Sequence, residues 1–511
     1  MINLRPYMTT AAITYLLISI VIFFMTWLHW YYGVPAAILL VYASYRFLHS
    51  IPKEKTADSS ISWSKESLIA SILLFLFLLL TGHGMFIGGS GYDIPWRNAM
   101  YYDLIQQSWP VLYEYSQSAL IYYLTYWLAP AGITYVFGSH TLLANIILFL
   151  WTYIGLRIFL SLLWNFLKAE KKYYIYITLI FLFWSGLSTI GMIIVSATGI
   201  MPFYIDADWG WHAWQFTAIT QNGYTMGYMI RSTFDGLSNI YNQLIPIVLC
   251  TVLFLKYRQP ASYALFIALL LPYSPFGAVG LCLLAGIDLV RQGLSAFQSH
   301  QSHSFFKELI SPANILAVVA VLPVFSLYFT ANTSLDQTNS LWSAPLADYT
   351  IIRITILGLY YMFYFIIFAD LCRSHTKDSV LLGSVILTLM IIPFFKIGRS
   401  LDFCWNASIP GFYIIMVFLM QEILRLFREH DRSRHFVITM VVLFIAVTTP
   451  FLQLTSQCIK CYTAGTYFVY VNVPKLEDTL SDKPRDSVIR TYGNFMNPYY
   501  KDKPFYRYIA K

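Results

Sequence analysis

A polar island interrupts an otherwise apolar sequence between residues 82 and 114. It holds Asp93, Trp96, Arg97 and Asp103. Only 11% of the 511 residues are charged and 58% are hydrophobic, so acids and an arginine beside a membrane segment are costly to keep without a use. A carboxylate can act as a general base and arginine binds phosphate. The island is therefore a candidate site for a polar substrate that carries an anionic, lipid-linked group.

The spacing within the island predicts how Asp93 and Arg97 are presented. Three glycines within 88–91 let the chain turn tightly before Asp93. Pro95 is a favoured first helical position, so a helix starting there would put Asp93 near its cap and Arg97 on the same face. Asp93 could serve catalysis, with Asp103 as a second acid. Alternatively, it could only cap the helix and pair with Arg97.

A second polar cluster combines Asp206, Asp208 and His212 with three tryptophans within 201–215. Indole rings and carboxylates together suit sugar rings, and the two acids could hold Mg²⁺ or Mn²⁺ through oxygen ligands. A pair of acids without a third is a weak metal signal, so we assign no metal ligands. The tryptophans could equally be interface anchors. Arg231, further along the chain, is a candidate for binding phosphate.

A third cluster contains Lys396, Arg399 and Asp402. Two cations followed by an acid could clamp a lipid phosphate arriving from the bilayer, with Asp402 orienting Arg399. The two cations could instead extend to lipid headgroups without binding a substrate.

The elements that must position these clusters are membrane-spanning helices. A mean hydropathy of +0.59 predicts an all-α polytopic membrane protein with about thirteen transmembrane helices. The predicted spans at 34–49 and 261–272 are short, so the count could be twelve or fourteen. The apolar stretch at 8–29 has no small-residue cleavage site, so we expect it to be retained as a span.

The basic residues predict the orientation of the chain. They concentrate in loops that share one side if the N-terminus is cytoplasmic: 53–65, 168–172, 256–258 and 425–434. All three polar clusters then lie outside, and the multi-pass protein belongs in a membrane such as the bacterial cytoplasmic membrane, with an external C-terminus. The chain has a formal charge of +8. Membrane topology explains the basic residues in the cytoplasmic loops, so the charge does not indicate a nucleic-acid partner.

Residues 118–138 are apolar enough to cross the membrane, but a crossing would invert every later loop. We therefore predict a helix lying in the outer interface, anchored by aromatic side chains: Tyr122, Tyr123, Tyr126 and Trp127. The alternative is that this segment crosses and a neighbouring short span does not.

The predicted organisation is one membrane domain and a small tail. The membrane domain covers 1–455, with interfacial helices in its first large outer loop at about 83–140. An external segment covers 456–511, where Cys458 and Cys461 could form a disulfide in an oxidising compartment or could remain free.

The order of these features resembles the GT-C superfamily of polyprenyl-phosphate-sugar-dependent glycosyltransferases. The shared features are an acid in the first large outer loop, an interfacial segment from Trp109 to Gly138, and a span leaving the outer face. Residues 93–113 and 398–410 are similar to those of a poorly characterised bacterial branch. The chain departs from the pattern because two extra spans precede the acid loop and no second acid flanks Asp93.

The resemblance implies inverting transfer of a sugar from a polyprenyl-phosphate-linked donor to a glycan, lipid or protein acceptor during cell-envelope polysaccharide biosynthesis. Asp93 would deprotonate the acceptor hydroxyl, and Arg399, Lys396 or Arg231 would stabilise the leaving phosphate. The other implied substrate-binding residues are Trp96, Arg97, Asp206, Asp208, His212 and Asp402. An O-antigen ligase or polymerase type of enzyme and a transporter or flippase remain alternatives. The sugar, the acceptor and any metal dependence stay open.

Overall fold

The computed structural model describes residues 7–52, 64–83, 94–187, 218–219, 225–226, 230, 232–333, 339–340, 359, 362, 365–372, 379–398, 402–464 and 495–511. Within these ranges the fold is a bundle of helices with a few very short strands.

The helices and strands of the described ranges are as follows. The helices are α1 (Tyr7–Trp27), α2 (Trp30–Ser50), α3 (Lys65–Leu80), α4 (Ile94–Gln106), α5 (Thr125–Val136), α6 (Thr141–Phe166), α7 (Tyr174–Leu182), α8 (Thr233–Asn239), α9 (Tyr241–Lys256), α10 (Tyr263–Leu270), α11 (Pro275–Gln298), α12 (Ser302–Leu309), α13 (Pro312–Thr330), α14 (Ser379–Ile391), α15 (Asp402–Arg428) and α16 (Arg434–Ala464). The strands are β1 (Leu112–Tyr113), β2 (Ser118–Leu120), β3 (Ala218–Ile219), β4 (Thr225–Met226), β5 (Asn339–Ser340), β6 (Phe395–Lys396) and β7 (Met496–Asn497).

Six helices in the described ranges are long and apolar enough to cross a membrane: Tyr7–Trp27, Thr141–Phe166, Pro275–Gln298, Ser302–Thr330, Asp402–Arg428 and Arg434–Thr463. This agrees with the expected helical membrane protein. The predicted count of about thirteen stays a prediction, because other expected spans form shorter helices or lie outside the described residues. The expected short span at 34–49 belongs to α2, which has 21 residues.

Helix α15 is the centre of the bundle, and nearly its whole length is buried. Helix α11 packs against it backbone to backbone at Gly280, where an added Cβ would lie 2.0 Å from the carbonyl oxygen of Ala407. Helix α11 begins sharply because Pro275 occupies its first turn and the Ser274 hydroxyl accepts a hydrogen bond from Gly277 N–H.

The segment 261–272, expected to be a short membrane span, does not form a helix long enough to cross the bilayer. Helix α10 has only 8 residues, and the turn after it is held inside the bundle. In that turn the Tyr273 hydroxyl donates to the Leu16 carbonyl, about 14 Å along α1 from its start at 1.5 Å per residue. The Ser274 hydroxyl donates to Gln243 Oε1 at 3.0 Å. Helices α10 and α11 therefore form a hairpin whose polar turn lies at mid-depth and is satisfied by neighbouring helices.

Within residues 118–138, helix α5 has only 12 residues, fewer than the roughly 20 needed to cross a bilayer core, and its location in the outer interface stays a prediction. The expected aromatic anchoring is wrong in its location. Tyr126 and Trp127 are fully buried in the bundle, and Trp127 Nε1 donates to the Tyr241 hydroxyl at 2.9 Å. The exposed apolar side chains lie instead at the end of α5, at 135–137.

The C-terminal residues pack against the same end of the bundle as α4 and α5. Strand β7 pairs with β2 in a three-stranded sheet of order β1-β2-β7, with Ala119 opposite Asn497. The backbone N–H of Lys511 donates to the Trp27 carbonyl at 2.9 Å. The end of the chain thereby holds the end of α1 to the sheet.

The expected boundary at 456 falls inside α16, which continues to Ala464. Cys458 and Cys461 both lie on this helix as free cysteines, Cys458 exposed and Cys461 buried. Of the two alternatives for this described pair, the structure has the free cysteines and not the disulfide.

Replacing Gly280 by alanine should force α11 away from α15, because the new methyl group meets the Ala407 backbone rather than a flexible side chain. We expect a loss of about 1–3 kcal/mol in the free energy of unfolding, seen as a lower thermal unfolding midpoint in detergent. Gly286→Ala on the same helix is the matched control, since nothing lies within 4 Å of its added Cβ. Equal midpoints for the two variants would contradict the close contact between α11 and α15.

Candidate functional site

Only part of the predicted site lies in the described residues. Trp96, Arg97, Asp103 and Asp402 are described with their side chains, and Lys396 with its backbone only, where β6 pairs with β5. The remaining predicted site residues lie outside the described ranges: Asp93, Asp206, Asp208, His212, Arg231 and Arg399.

Arg97 is buried in the bundle, with 3% of its surface exposed. Its Nη1 donates to the side-chain oxygen of Asn242 at 2.9 Å. Asn242 Nδ2 in turn donates to the Tyr123 carbonyl at 3.4 Å. One arginine thus ties α4 to the start of α9 and, through Asn242, to the segment before α5.

Asp402 occupies the first turn of α15, where the helix dipole favours a negative charge. The next residue, Phe403, packs edge-on against Phe276 with 5.6 Å between ring centroids. Phe276 packs edge-on against Tyr123 at 6.2 Å. The start of α15 therefore lies beside the segment that Arg97 holds in place.

Arg97 and Asp402 both influence the pKa of Tyr123. Burial raises the pKa of Tyr123 well above its ordinary value; the charge of Asp402 adds to this, and the charge of Arg97 opposes it. Both charges therefore act on the same ring. We call Arg97, Asn242, Tyr123 and Asp402 the Arg97 site.

Asp103, which the sequence predicts as a second catalytic acid, contacts the strand that follows α4. It is fully buried, and its Oδ2 accepts a hydrogen bond from the Tyr113 hydroxyl at 2.7 Å. Six residues separate Asp103 from Arg97, which places them about 120° apart around α4. The described contacts make Asp103 a link between α4 and strand β1, and its catalytic role stays a prediction.

Trp96, predicted to bind substrate, contacts the C-terminal residues. It is half-buried, and its ring stacks on Phe495 with 6.3 Å between centroids. Phe495 precedes β7, so Trp96 joins α4 to the C-terminal residues.

Sequence reasoning missed a buried polar network behind the Arg97 site. A 2.7 Å hydrogen bond joins His83 Nε2 to the Thr152 hydroxyl, which also accepts from Tyr126 at 2.9 Å. The Tyr15 hydroxyl donates to the Tyr126 hydroxyl at 3.2 Å. The His83 ring packs edge-on against Tyr241 at 4.1 Å, next to Asn242 in sequence. The available signal was a histidine at the end of an apolar span.

A second missed feature is a layer of buried polar side chains between α8 and α15. Thr233 and Tyr413 share a hydrogen bond of 2.8 Å between these helices. Several buried oxygen atoms of this layer have no hydrogen-bond partner among the described residues. They belong to Ser238, Asn239, Asn406 and Ser408, which we call the α8–α15 polar layer.

The α8–α15 polar layer has little free space of its own. A cavity of about 10 Å³ between Gly236, Leu244 and Ser408 is lined by both helices and has room for about one water molecule. Buried oxygens of this kind are normally satisfied by water or by a ligand. Among the described residues no group of three acids, histidines or cysteines could hold a metal ion, so the expected divalent cation stays a prediction that rests on residues outside those ranges.

The comparisons with known proteins do not place the chain in a family. No family model matches the sequence, and no curated protein matches it either.

Replacing Asp103 by alanine should destabilise the protein, because the buried Tyr113 hydroxyl loses its acceptor. We expect a cost of about 1–3 kcal/mol in the free energy of unfolding. Asp103→Asn keeps an acceptor oxygen and should cost clearly less. Thermal unfolding of both variants, each also combined with Tyr113→Phe, measures the coupling. If the bond matters, Asp103→Ala should cost clearly less in the Tyr113→Phe background than in the wild-type background; additive losses would contradict its structural role.

Proposed function

We propose that the protein transfers a sugar from a polyprenyl-phosphate-linked donor to a glycan, lipid or protein acceptor at the outer face of the membrane. The observation that supports this best is the Arg97 site: a buried guanidinium and the carboxylate of Asp402, whose charges both act on Tyr123, at one end of the helix bundle. Such a pair suits a substrate that carries both a phosphate and hydroxyl groups.

The Arg97 guanidinium is buried and positioned by its neighbours. A buried charge is costly in an apolar protein, and the bond to Asn242 fixes the plane of the Arg97 side chain. Arginine presents its donors in a fork that matches phosphate oxygens. In the proposed reaction, Arg97 lies four residues from Asp93 and attracts the donor phosphate toward that acid.

Aromatic rings next to the Arg97 site suit an apolar lipid chain. Tyr123 contacts Phe276 and, at 5.7 Å between centroids, Phe329 of α13. Phe403 extends this wall along the start of α15. A polyprenyl chain lying on these rings would leave its phosphate at Arg97.

The proposed chemistry is a single displacement. Asp93 accepts the proton of the acceptor hydroxyl as its oxygen attacks the anomeric carbon. The bond from that carbon to the phosphate oxygen breaks, the configuration inverts, and the polyprenyl phosphate leaves with the added negative charge. Arg399, Lys396 or Arg231 stabilises that charge.

A second candidate function is transport of a lipid-linked or polar solute. The observation that favours it is the α10–α11 hairpin, whose turn lies at mid-depth beside Leu16. Interrupted helices of this kind are typical of transporter binding sites.

The test is transfer of labelled sugar by the purified protein in lipid nanodiscs, supplied with a panel of polyprenyl-phosphate donors. Asp93→Asn should slow transfer at least about 100-fold, the effect of losing a general base. Arg97→Gln should chiefly raise the donor concentration needed for half-maximal rate. Asp502→Asn, an exposed acid near the C-terminus, makes the same change of charge and should leave the rate unchanged.

Two results would count against the proposal. Full activity of Asp93→Asn would remove the proposed base. Absence of transfer from every donor, together with uptake of a solute into proteoliposomes, would favour the transport function.

A further inference from the structure

Arg157 lies inside the membrane-spanning helix α6, about 24 Å from its start at Thr141 when each residue adds 1.5 Å. Its guanidinium reaches across to α3 and donates to three hydroxyl groups. The acceptors are Ser71 Oγ to Nε at 2.7 Å, Ser67 Oγ to Nη2 at 2.8 Å and Ser161 Oγ to Nη1 at 2.9 Å.

The partners of Arg157 leave its charge uncompensated. The three acceptors are neutral hydroxyls, and the Trp164 ring lies 4.8 Å below the guanidinium carbon. No carboxylate of the described residues forms an ion pair with Arg157. A charged residue in a transmembrane segment without a counter-ion is expensive and usually marks a functional site. The three bonds use three of its five N–H groups, so two can reach an anion.

The surroundings of Arg157 combine basic and apolar features. Ser67 is the third residue of α3, so the guanidinium points to the end of the bundle where that helix begins. Lys65 and Lys171 lie at the same end, both close enough to act on the charge of Glu66. Lys65, Lys171 and Lys172 outnumber Glu66 and Glu170 at this end, which leaves a small excess of positive charge where lipid headgroups would meet the groove between α3 and α6.

The sides of this groove are apolar. Leu68 and Ile72 are 55% and 50% exposed on α3, and Ile154 is 47% exposed on α6. In a membrane protein such exposed aliphatic side chains face lipid chains. A half-buried cation between them matches the shape and charge of one anionic lipid, with its phosphate deep and its chains along the helices.

We propose that Arg157 binds the phosphate of an anionic phospholipid whose chains lie in the groove between α3 and α6. The serine hydroxyls hold the guanidinium so that its remaining N–H groups face the phosphate, and Lys65 adds attraction at the headgroup. The site lies at the opposite end of α6 from the Arg97 site and does not depend on the proposed sugar transfer.

The test compares binding of phosphatidylglycerol and phosphatidylcholine to the full-length protein in detergent by native mass spectrometry. Wild type should prefer phosphatidylglycerol. Arg157→Gln should weaken phosphatidylglycerol binding about fivefold, the effect of roughly one basic residue near a charged headgroup, and Arg157→Lys should retain most of it. Arg46→Gln is the matched control, because Arg46 is an exposed membrane-helix arginine whose described partner is Tyr42; its binding should be unchanged.

Further experiments distinguish lipid binding from two alternatives, a purely structural role of Arg157 and binding of free phosphate. Ser67→Ala loosens the helix contact but keeps the charge, so the preference for phosphatidylglycerol should persist. An unchanged preference in Arg157→Gln, with equal loss of thermal stability in both lipids, would overturn the proposal and leave Arg157 as a clamp between helices. Displacement of the lipid by millimolar inorganic phosphate would also overturn it, since a bare anion would then be the ligand.

Discussion

The bilayer core offers no hydrogen-bond partners, so every polar side chain in this bundle must be satisfied within the protein or by a ligand. The rest of the structure follows from that constraint. Apolar helices pack so closely that Gly280 touches the backbone of α15, and the polar groups collect at a few places. The turn between α10 and α11 is stable at mid-depth because α1 and α9 supply acceptors for its hydroxyls.

Two arginines show the two ways in which the fold keeps a charge. Arg97 is almost fully buried beside an amide and shares the surroundings of Tyr123 with Asp402. Arg157 is half-buried, held by serines and open to the lipid-facing groove. We infer that both positions bind phosphate groups, one belonging to a substrate and the other to the surrounding membrane. The second inference stands independently of the first.

The sequence predicts the coarse architecture because its signals are local. Long apolar runs indicate spans, and the placement of basic loops predicts that residues 118–138 do not cross. The same segment shows the limit of such reasoning. Tyr126 and Trp127 look like interface anchors because each has an apolar ring and one polar atom. In the fold those polar atoms meet Thr152 and Tyr241 inside the bundle.

The candidate site was harder to predict, because its partners are distant in sequence. Arg97 and Asn242 are 145 residues apart, and nothing near either one indicates the other. Acidic residues are easy to find in so apolar a sequence. Their positions in the sequence do not show how deeply each carboxylate is buried or which residues it contacts. Asp103 illustrates this: its type and position suggested catalysis, whereas its hydrogen bond to Tyr113 ties α4 to the sheet.

The central claim is that a polyprenyl-phosphate donor occupies the Arg97 site. The most direct measurement is photo-crosslinking with a donor that carries a diazirine on its first isoprene unit, followed by peptide mapping. The account predicts labelled residues on the aromatic wall formed by Tyr123, Phe276 and Phe403, and loss of this labelling when unlabelled donor is added in excess. Labelling confined to other parts of the bundle, or unchanged by unlabelled donor, would contradict it.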